Sequence, residues 1–489
     1  MLPATLSFRS PMPLRASAAF AALVALAACS PAEPYRAPVA DAARTASFDA
    51  AASAPSVSTD APPDHWWRLY DDPALDALIR DALAQNRDLA VALAHVQRAR
   101  AVAGEAEAER LPSTQATFGV DYGKHTDDQI VAAARNSGTD GSAPTRFGWS
   151  PGFELSWEVD LWGRVRDLVD AAHADAEAQQ AAADAMRVTV AAETASAYAR
   201  ACAYGARIDV AQRSLEVATR IAALTARQQA LGLVASMDSA RARAFADDTR
   251  ATLPTLEGER RAALYELAVL TGHEPADVPA SAAQCRVPPS LAQPFPLGDG
   301  AALLRRRPDL REAERNLAAA HARAGAAQAA LYPSIVLGGS VNWLSTTGNP
   351  ASLGDRYAIA WGVGPLISWR FPNLAASRAQ LGAARADDSA ARASFDADVL
   401  RALRETEQAL ARYGAAWRER DALREARAEH ARAFMLAERE FRAGALDSLG
   451  VLDAERSLVA VDASLAQSAQ RVALDQVAVF KALGGGWQP

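Results

Sequence analysis

The sequence contains an internal repeat that spans most of its 489 residues. Three matches keep an offset of 221 residues: Asp88-Leu89, Gly104 and Pro112-Ser113 recur as Asp309-Leu310, Gly325 and Pro333-Ser334. Six later matches keep an offset of 212: Ser156-Trp157, Glu193-Thr194, Arg200, Gly232, Ser236 and Gly272 recur as Ser368-Trp369, Glu405-Thr406, Arg412, Gly444, Ser448 and Gly484. Because chance rarely keeps one offset over such a distance, the chain is a tandem duplication whose halves differ by nine residues in one loop.

Each half is predicted to form a helix, two strands and then two long helices. We assign residues 63–272 to the first repeat and residues 306–486 to the second. Between them, residues 273–305 form a proline-rich linker, which allows the second half to start again beside the first.

The strands alternate between apolar and polar residues. In the stretch 147–159, Phe147, Trp149, Phe153, Leu155 and Trp157 are separated by glycine, serine and glutamate, and the stretch 357–371 repeats this pattern. Shorter alternating runs at 116–122 and 335–343 supply the partner strands. A period of two indicates strands with one apolar face and one polar, solvated face.

Four strands per chain cannot close a barrel, since the smallest barrels have about eight strands. In lipid, closure is obligatory because an open sheet would leave unpaired backbone groups. Copies of the chain would therefore combine their strands, eight in a dimer or twelve in a trimer. A soluble sandwich that buries its apolar face is the alternative.

The helices are much longer than the strands require. No proline occurs between Arg164 and Leu231, and a continuous helix over this stretch would extend roughly 100 Å. The abundance of alanine and the heptad spacing favour close side-by-side packing of such helices. Gly232 and Gly444 interrupt them at predicted hairpin turns, where glycine can adopt the left-handed conformation.

The N-terminus predicts export and a lipid anchor. A short apolar run follows Arg9 and Arg15 within residues 1–28, which is typical of a signal peptide. It ends in Leu26-Ala27-Ala28-Cys29, which resembles a bacterial lipobox with Cys29 as the lipidated residue; an ordinary cleaved signal is the alternative. Residues 29–62 would be the anchor and a flexible tether. No later stretch is long and apolar enough for a transmembrane helix.

Several functional classes are not supported by the sequence. The formal charge of −7 and the absence of a basic cluster argue against nucleic acid as a partner. The seven histidines are scattered and form no metal or nucleophile motif, so we expect no enzyme, catalytic residue, metal or cofactor apart from the lipid on Cys29. We expect Cys202 and Cys285 to be two separate buried side chains; a disulfide in an oxidising periplasm is the less favoured alternative.

Seven segments stand out as a set: His65–Pro73, Asn86–Leu89, Leu155–Arg164, Leu303–Asp309, Gly444–Leu449, Val451–Ala454 and Ala482–Trp487. Together they resemble a known family, the TolC/OprM-type outer-membrane efflux lipoproteins of the NodT subfamily. One segment departs from the family, because Trp369–Leu374 stands where a Pro-Ile-Phe-Asp-Gly-Gly-like bend is usual.

The resemblance implies a homotrimer in the outer membrane. Its twelve strands would form one β-barrel, four from each protomer, and its long helices would continue the barrel as an α-helical tunnel in the periplasm. The channel would work with a periplasmic adaptor protein and an inner-membrane pump, and would passively conduct what the pump delivers. The alternative is a structural or adhesive lipoprotein that conducts nothing.

Two kinds of site are predicted near the hairpin turns. Asp453 matches a family position that carries a constriction aspartate, and Asp238 stands near the first turn; both are candidates for a periplasmic gate, with a solvated charge or a helix cap as the alternative. The neighbouring acidic position of the family is Gly450 here, which implies a single acidic ring. The predicted adaptor-docking residues are Gly232, Leu233, Val234, Ser236, Gly444, Leu446, Ser448 and Leu449.

Overall fold

A computed structural model describes most of the mature chain. The described residues are 34–38, 48–53, 57–58, 60, 63–124, 145–291, 295–298, 306–345, 348–356 and 358–485. The predicted signal peptide, the anchor Cys29 and most of the tether lie outside the described residues.

The first repeat folds in the predicted order. Its elements are α1 (Pro73–Gln85), α2 (Arg87–Ala108), β2 (Ser113–Gly123), β3 (Arg146–Glu158), α3 (Arg164–Ala230) and α4 (Ser236–Leu270), and a short strand, β1 (Val57–Ser58), precedes them. Helix α1 begins at Pro73 because the Asp72 side chain accepts the backbone N–H groups of Ala74 and Leu75.

The second repeat reproduces this order with one helix in place of α1 and α2. A short helix α5 (Ala280–Gln284) and the strand β4 (Phe295–Pro296) lie in the linker; the repeat itself contains α6 (Pro308–Ala329), β5 (Ser334–Trp343), β6 (Ile359–Ser368), α7 (Ala375–Arg442) and α8 (Ser448–Ala482). The predicted duplication is therefore confirmed. In the described parts of the chain, no helix is both long and apolar enough to span a bilayer.

The chain divides into two compact units, and each unit takes segments from both repeats. The first comprises Met1–Ala37, Arg98–Ala176 and Arg315–Arg392, and the second comprises Pro38–Gln97, Glu177–Glu314 and Ala393–Pro489. The first unit contains the antiparallel four-stranded sheet, in the order β2-β3-β5-β6. The central pair, β3 and β5, joins the two repeats.

The core of the second unit is a cluster of aromatic side chains surrounded by alanine-rich helices. Trp66 stacks on Phe480 with ring centroids 4.6 Å apart, and Phe480 stacks on Phe295 at 4.3 Å. All three side chains are almost completely buried. Elsewhere in this core the helices meet through alanines such as Ala197 and Ala201 on α3, which allows close backbone approach.

A disulfide joins Cys202 on α3 to Cys285 at the end of α5, with Cα atoms 4.8 Å apart. The expectation of two separate side chains is therefore wrong. The linker lies directly on α3 at this point, since a Cβ atom added to Gly205 would meet the Cys285 carbonyl oxygen at 2.6 Å. This proximity arises across 83 residues of sequence and has no local signature.

Parts of the segment 29–62 pack on the folded body. Tyr35 lies against His321 with ring centroids 5.7 Å apart. The backbone N–H groups of Asp49 and Ala50 both donate to the Glu407 carboxylate at 2.9 Å. Strand β1 pairs in parallel with β4. These contacts fix the described pieces of the segment at separate points.

Candidate functional site

One face of the four-stranded sheet is apolar from edge to edge. Val120 lies opposite Trp149 in the β2–β3 pair, and Val341 lies opposite Trp361 in the β5–β6 pair. The exposed apolar side chains of this face are Phe118, Val120, Tyr122, Phe147, Phe153, Ile359, Trp361, Val363 and Ile367. Trp361 is 75% exposed, and exposing the apolar side chains of this face to water would cost free energy. Such a surface suits hydrocarbon rather than solvent.

The opposite face of the sheet is mostly polar, with the facing pair Val336 and Leu366 as an apolar exception. Gln115 lies opposite Glu154, Glu154 opposite Ser340, and Ser340 opposite Gly362. Further positions of this face carry Thr117, Ser150, Ser156, Gly338, Asn342 and Gly364. Small and hydrogen-bonding side chains of this kind line a water-filled lumen. In this register the apolar side chains share the lipid-facing surface and most polar side chains share the surface that faces water, as the alternation of the strands predicts.

Strands β2 and β6 form the edges of the sheet. Within the part of the chain that the structure describes, each pairs with one neighbouring strand of the sheet. Their remaining backbone groups need partners if the apolar face lies in lipid. Strands from further copies of the chain would satisfy them.

Two carboxylates hold the turn between β3 and α3. Glu158 accepts two hydrogen bonds from the Arg164 guanidinium, at 2.8 Å from Nε and 2.5 Å from Nη2. Asp160 accepts the backbone N–H groups of Val165 and Arg166 at 3.1 and 2.8 Å. The carboxylate therefore caps the positive N-terminal end of α3.

The two repeats contain the same hydrogen bond from a tryptophan indole to a backbone carbonyl. Trp157 Nε1 donates to the Arg110 carbonyl at 3.0 Å, and the equivalent Trp369 Nε1 donates to the Leu331 carbonyl at 3.2 Å. In the unusual segment Trp369–Leu374, the side chain of Asn373 accepts a backbone N–H at the start of α7 at 3.2 Å. This sequence departure therefore keeps both the tryptophan contact and a helix cap.

In each repeat, a second equivalent hydrogen bond joins a side chain near the start of the repeat to the end of its last helix. In the first repeat, Asn86 Nδ2 donates to the Leu270 carbonyl at 3.1 Å, at the end of α4. In the second, Arg307 Nη1 donates to the Ala482 carbonyl at 3.0 Å, at the end of α8. Gly484 follows with a φ of 68°, and a Cβ atom there would lie 3.0 Å from the Arg307 Cα. Glycine is required here both by the conformation and by this close approach.

The predicted turns lie at the ends of the α3–α4 and α7–α8 hairpins. Gly232 and Gly444 have φ angles of 74° and 75°, which explains glycine at both positions. Leu233 is 69% exposed. Leu446 instead folds over its own turn, since a Cβ atom on Gly450 would meet its side chain at 2.7 Å.

The other tip residues differ in accessibility. Val234 is half-buried, whereas Ser236 and Leu449 are exposed. The Ser448 side chain is outside the described part of the structure. Exposed leucines at a helical hairpin tip are available to a partner.

The two candidate gate residues lie close to one helix–helix contact. Asp453 on α8 is exposed, and Asp238 in the first turn of α4 is half-buried. Leu452, adjacent to Asp453, packs in a cluster with Ala242, which lies one turn after Asp238. The structure thus places both carboxylates within about one helical turn of the same packing site.

Sequence reasoning missed one acidic residue in this region, Glu455. Its side chain is only 3% exposed, although it lies two residues beyond Asp453. Burial, together with the negative charges of Asp462 and Glu438, raises the pKa of Glu455 to about 7. The available signal is its spacing, since Leu452, Glu455 and Val459 follow a three-then-four pattern in which the flanking residues are apolar.

The comparison with known families decides the identity of the chain. Residues 78–273 and 301–485 match the family model described as "Outer membrane efflux protein". The chain belongs to this family. The matched segments cover both repeats, including the sheet and the two long hairpins.

Individual relatives agree with this assignment. The chain is 32% identical over 435 residues to the pyoverdine export outer membrane protein OpmQ of Pseudomonas putida, covering 87% of this chain and 89% of the relative. It is 28% identical over 437 residues to the probable outer membrane lipoprotein SilC of Salmonella typhimurium, covering 86% and 88%. The solved structure of the outer-membrane channel OprN superposes with a TM-score of 0.85 at 33% identity, covering 94% of this chain and 100% of that structure.

As an outer membrane efflux protein, the chain is a channel subunit of a tripartite efflux system. Three copies assemble, and the four-stranded sheet is one protomer's share of a twelve-stranded barrel that continues into a periplasmic helical barrel. A periplasmic adaptor and an inner-membrane pump complete the system. The alternative of a non-conducting lipoprotein receives no support.

Members of the family are channel proteins rather than enzymes. Among the described residues, no group of three or more histidine, cysteine, aspartate or glutamate side chains is arranged to hold a metal ion.

Proposed function

We propose that Asp453 forms the periplasmic gate of this efflux channel. The observation that carries the proposal is its exposure on α8 between two buried side chains, Leu452 and Glu455. The buried side chains of Leu452 and Glu455 therefore pack α8 against the protein, while the Asp453 carboxylate is exposed to solvent. In a trimer three such carboxylates surround the axis, and acidic rings select cations. Because Gly450 stands at the neighbouring position, we propose a single ring.

Asp238 is the second proposed gate residue. Its place in the first turn of α4 also allows a role in stabilising the positive end of that helix. The two roles differ in their consequences, because a gate residue controls current and a helix-end charge controls local stability.

Conductance of the purified trimer in planar bilayers tests the gate. We expect Asp453→Ala to raise conductance, to weaken cation selectivity and to relieve block by multivalent cations. Asp247→Ala is the matched control, because Asp247 is an exposed carboxylate on α4 that is paired with Arg250. Unchanged current, selectivity and block in Asp453→Ala would contradict the proposal.

We also propose that the hairpin tips dock the adaptor. The proposed surface comprises Gly232, Leu233, Val234 and Ser236 in the first hairpin with Gly444, Leu446, Ser448 and Leu449 in the second. The exposure of Leu233 supports it, as does that of Leu449. Since Leu446 packs on its own turn, its proposed contribution is to the shape of the second tip.

Site-specific photo-crosslinking tests the docking surface in cells that contain the adaptor. Probes at Leu233 and Leu449 should capture the adaptor. A probe at Val287, which is 75% exposed in the linker, is the control. Capture from Val287 alone would place the adaptor elsewhere.

Finally, we propose that Cys29 carries the covalent lipid and anchors the protein in the outer membrane. The lipobox-like sequence before Cys29 supports this, and the relative SilC is named a lipoprotein. Cys29→Ser should abolish incorporation of labelled palmitate. Unchanged labelling would contradict the anchor.

A further inference from the structure

Glu455 occupies a position on α8 that an ionised carboxylate does not favour. Its side chain is 97% removed from solvent within the protomer alone, one turn after Leu452. Leu452 packs against the alanines Ala218 and Ala222 of α3 and Ala242 and Ala246 of α4. A buried carboxylate without a cation beside it is destabilising when charged.

The charges that act on Glu455 are both acidic. Asp462 lies two turns further along α8, and Glu438 lies on the facing helix α7. The basic residues near them are engaged: Arg427 binds Asp462 at 2.9 Å, and Arg442 binds Glu438 at 3.0 Å.

A hydrophobic cluster of α3 and α4 residues adjoins this region. The α3 and α4 residues of the adjoining cluster are alanines together with Ile221 and Phe245. The nearest basic residue in sequence, Arg456, places its guanidinium over the Phe245 ring, 5.8 Å from the centroid. The Arg456 guanidinium therefore lies on the α4 side, whereas Glu438 lies on α7.

We propose that Glu455 is a proton switch that controls how tightly α8 packs against the neighbouring helices next to the hairpin tip. Protonated, the side chain is neutral and fits the buried position. Deprotonated, it places a third negative charge beside Glu438 and Asp462, and the packing of α8 weakens. The switch does not depend on whether Asp453 lines the gate, because it acts through helix packing.

The sign of the pH dependence follows from the pKa of Glu455, which burial raises from 4.5 to about 7 in the packed arrangement. When α8 loosens, the carboxyl regains water and its pKa falls towards the ordinary value. The packed arrangement then binds more protons than the loosened one. Protons therefore stabilise the packing fully below pH 4.5, and this stabilisation is lost as the pH rises to about 7, with no further change above it.

The test is the distance between the two tips in the full-length trimer. Spin labels replace Leu233 and Leu449, in trimers that contain a minority of labelled protomers, and the native disulfide stays intact. Distance distributions are recorded by pulsed electron paramagnetic resonance at about pH 4 and about pH 8, on either side of the expected transition. We expect a broader or displaced distribution at the higher pH.

Two variants isolate Glu455. Glu455→Gln keeps the shape without the charge, so the distribution at the higher pH should match that at the lower pH. Asp247→Asn, a control at an exposed carboxylate of α4 that is paired with Arg250, should retain the full pH response. A pH response that persists unchanged in Glu455→Gln, or is absent from the otherwise unsubstituted labelled protein, would overturn the proposal.

A third variant keeps the test valid if Glu455→Gln fails to assemble. Glu438→Gln removes one of the two acidic neighbours and leaves Glu455 in place. The pH dependence should then be weaker and should end at a lower pH, because less repulsion acts on the ionised Glu455 and its pKa in the packed arrangement is raised less.

 At any pH above 4.5 the loosened population should therefore be smaller than in the protein that keeps Glu438. An equal or larger loosened population in Glu438→Gln would contradict the switch.

Discussion

Cys202 and Cys285 form a disulfide that encloses all of α4 and the part of α3 that follows Cys202, because 83 residues separate the two cysteines in sequence. The same linker segment is held by Arg260, whose Nη2 donates to the Ala283 carbonyl at 2.6 Å. The base of the first hairpin is therefore tied covalently to the linker. The second hairpin lacks such a bond, since these are the only cysteines other than Cys29.

Reduction of this disulfide should destabilise the protein. A cross-link that closes a loop of this length stabilises by about 4 kcal/mol, because it restricts the unfolded chain. We expect dithiothreitol to lower the thermal unfolding temperature of the purified protein. The double variant Cys202→Ala/Cys285→Ala should unfold at a lower temperature that no longer responds to the reductant. Equal unfolding temperatures with and without reductant in the native protein would contradict this.

Replacement of Arg307, which directly precedes α6, should strongly lower the free energy of unfolding because its guanidinium is buried. The guanidinium is 7% exposed and binds Asp309 at 2.6 Å and Glu405 at 2.8 Å, in addition to the Ala482 carbonyl. Arg307→Ala removes a buried cation from between the half-exposed carboxylates of Asp309 and Glu405 and takes its donor from the Ala482 carbonyl, so it should cost about 3 kcal/mol in the free energy of unfolding.

The control for Arg307 is its counterpart in the first repeat. Asn86→Ala removes neutral hydrogen bonds to Leu270 and Leu89, so it should cost about 1–3 kcal/mol. Denaturant unfolding of the two variants measures the difference. A loss from Asn86→Ala as large as that from Arg307→Ala would show that the charge network adds nothing.

The two faces of the sheet should respond oppositely to a new charge. Glu154 and Phe153 are adjacent on β3 and lie on opposite faces. Glu154→Lys on the wet face should assemble normally and lower cation selectivity. Phe153→Lys on the lipid face should destabilise the inserted barrel by about 2–4 kcal/mol for a mid-bilayer position. Trimer stability on semi-native gels and reversal potentials distinguish these outcomes, and normal assembly of Phe153→Lys would contradict the assigned faces.

The hairpin tips should differ in helix capping. Asp447 accepts the Gly450 N–H at 2.8 Å at the start of α8, whereas Ala235 provides no side-chain cap at the equivalent start of α4. Asp447→Ala should cost about 1 kcal/mol of local stability, and Ala235→Asp should gain a similar amount. Hydrogen exchange of the amides in the first turns of α8 and α4 measures both changes. Faster exchange at α4 in Ala235→Asp would contradict the assignment.

Much of the fold could be predicted because it depends on local patterns. The alternation in β3 predicted which side chains share a face, since successive residues of a strand must point to opposite sides. The turns at Gly232 and Gly444 were predictable because both require a left-handed residue. The absence of proline between Arg164 and Leu231 predicted one helix, and α3 extends over Arg164–Ala230.

The candidate site was predictable only in part. Asp453 and the hairpin tips could be located from their distance to a glycine turn. The burial of Glu455 could not, because it depends on side chains from other helices that lie far away in sequence. The packing of Leu446 onto Gly450 was missed for a different reason: these residues are close in sequence, but whether they touch depends on the path of the turn.

The sequence by itself determined the duplication, the order of helices and strands, and the separation of apolar and polar faces, because each is set by the spacing of residues along one segment. Only the tertiary structure decided which distant groups meet. It joined Cys202 to Cys285, placed Arg307 on the Ala482 carbonyl and buried Glu455 beside Glu438. These contacts depend on how helices separated by many residues pack together, and no periodicity within a single helix records that arrangement.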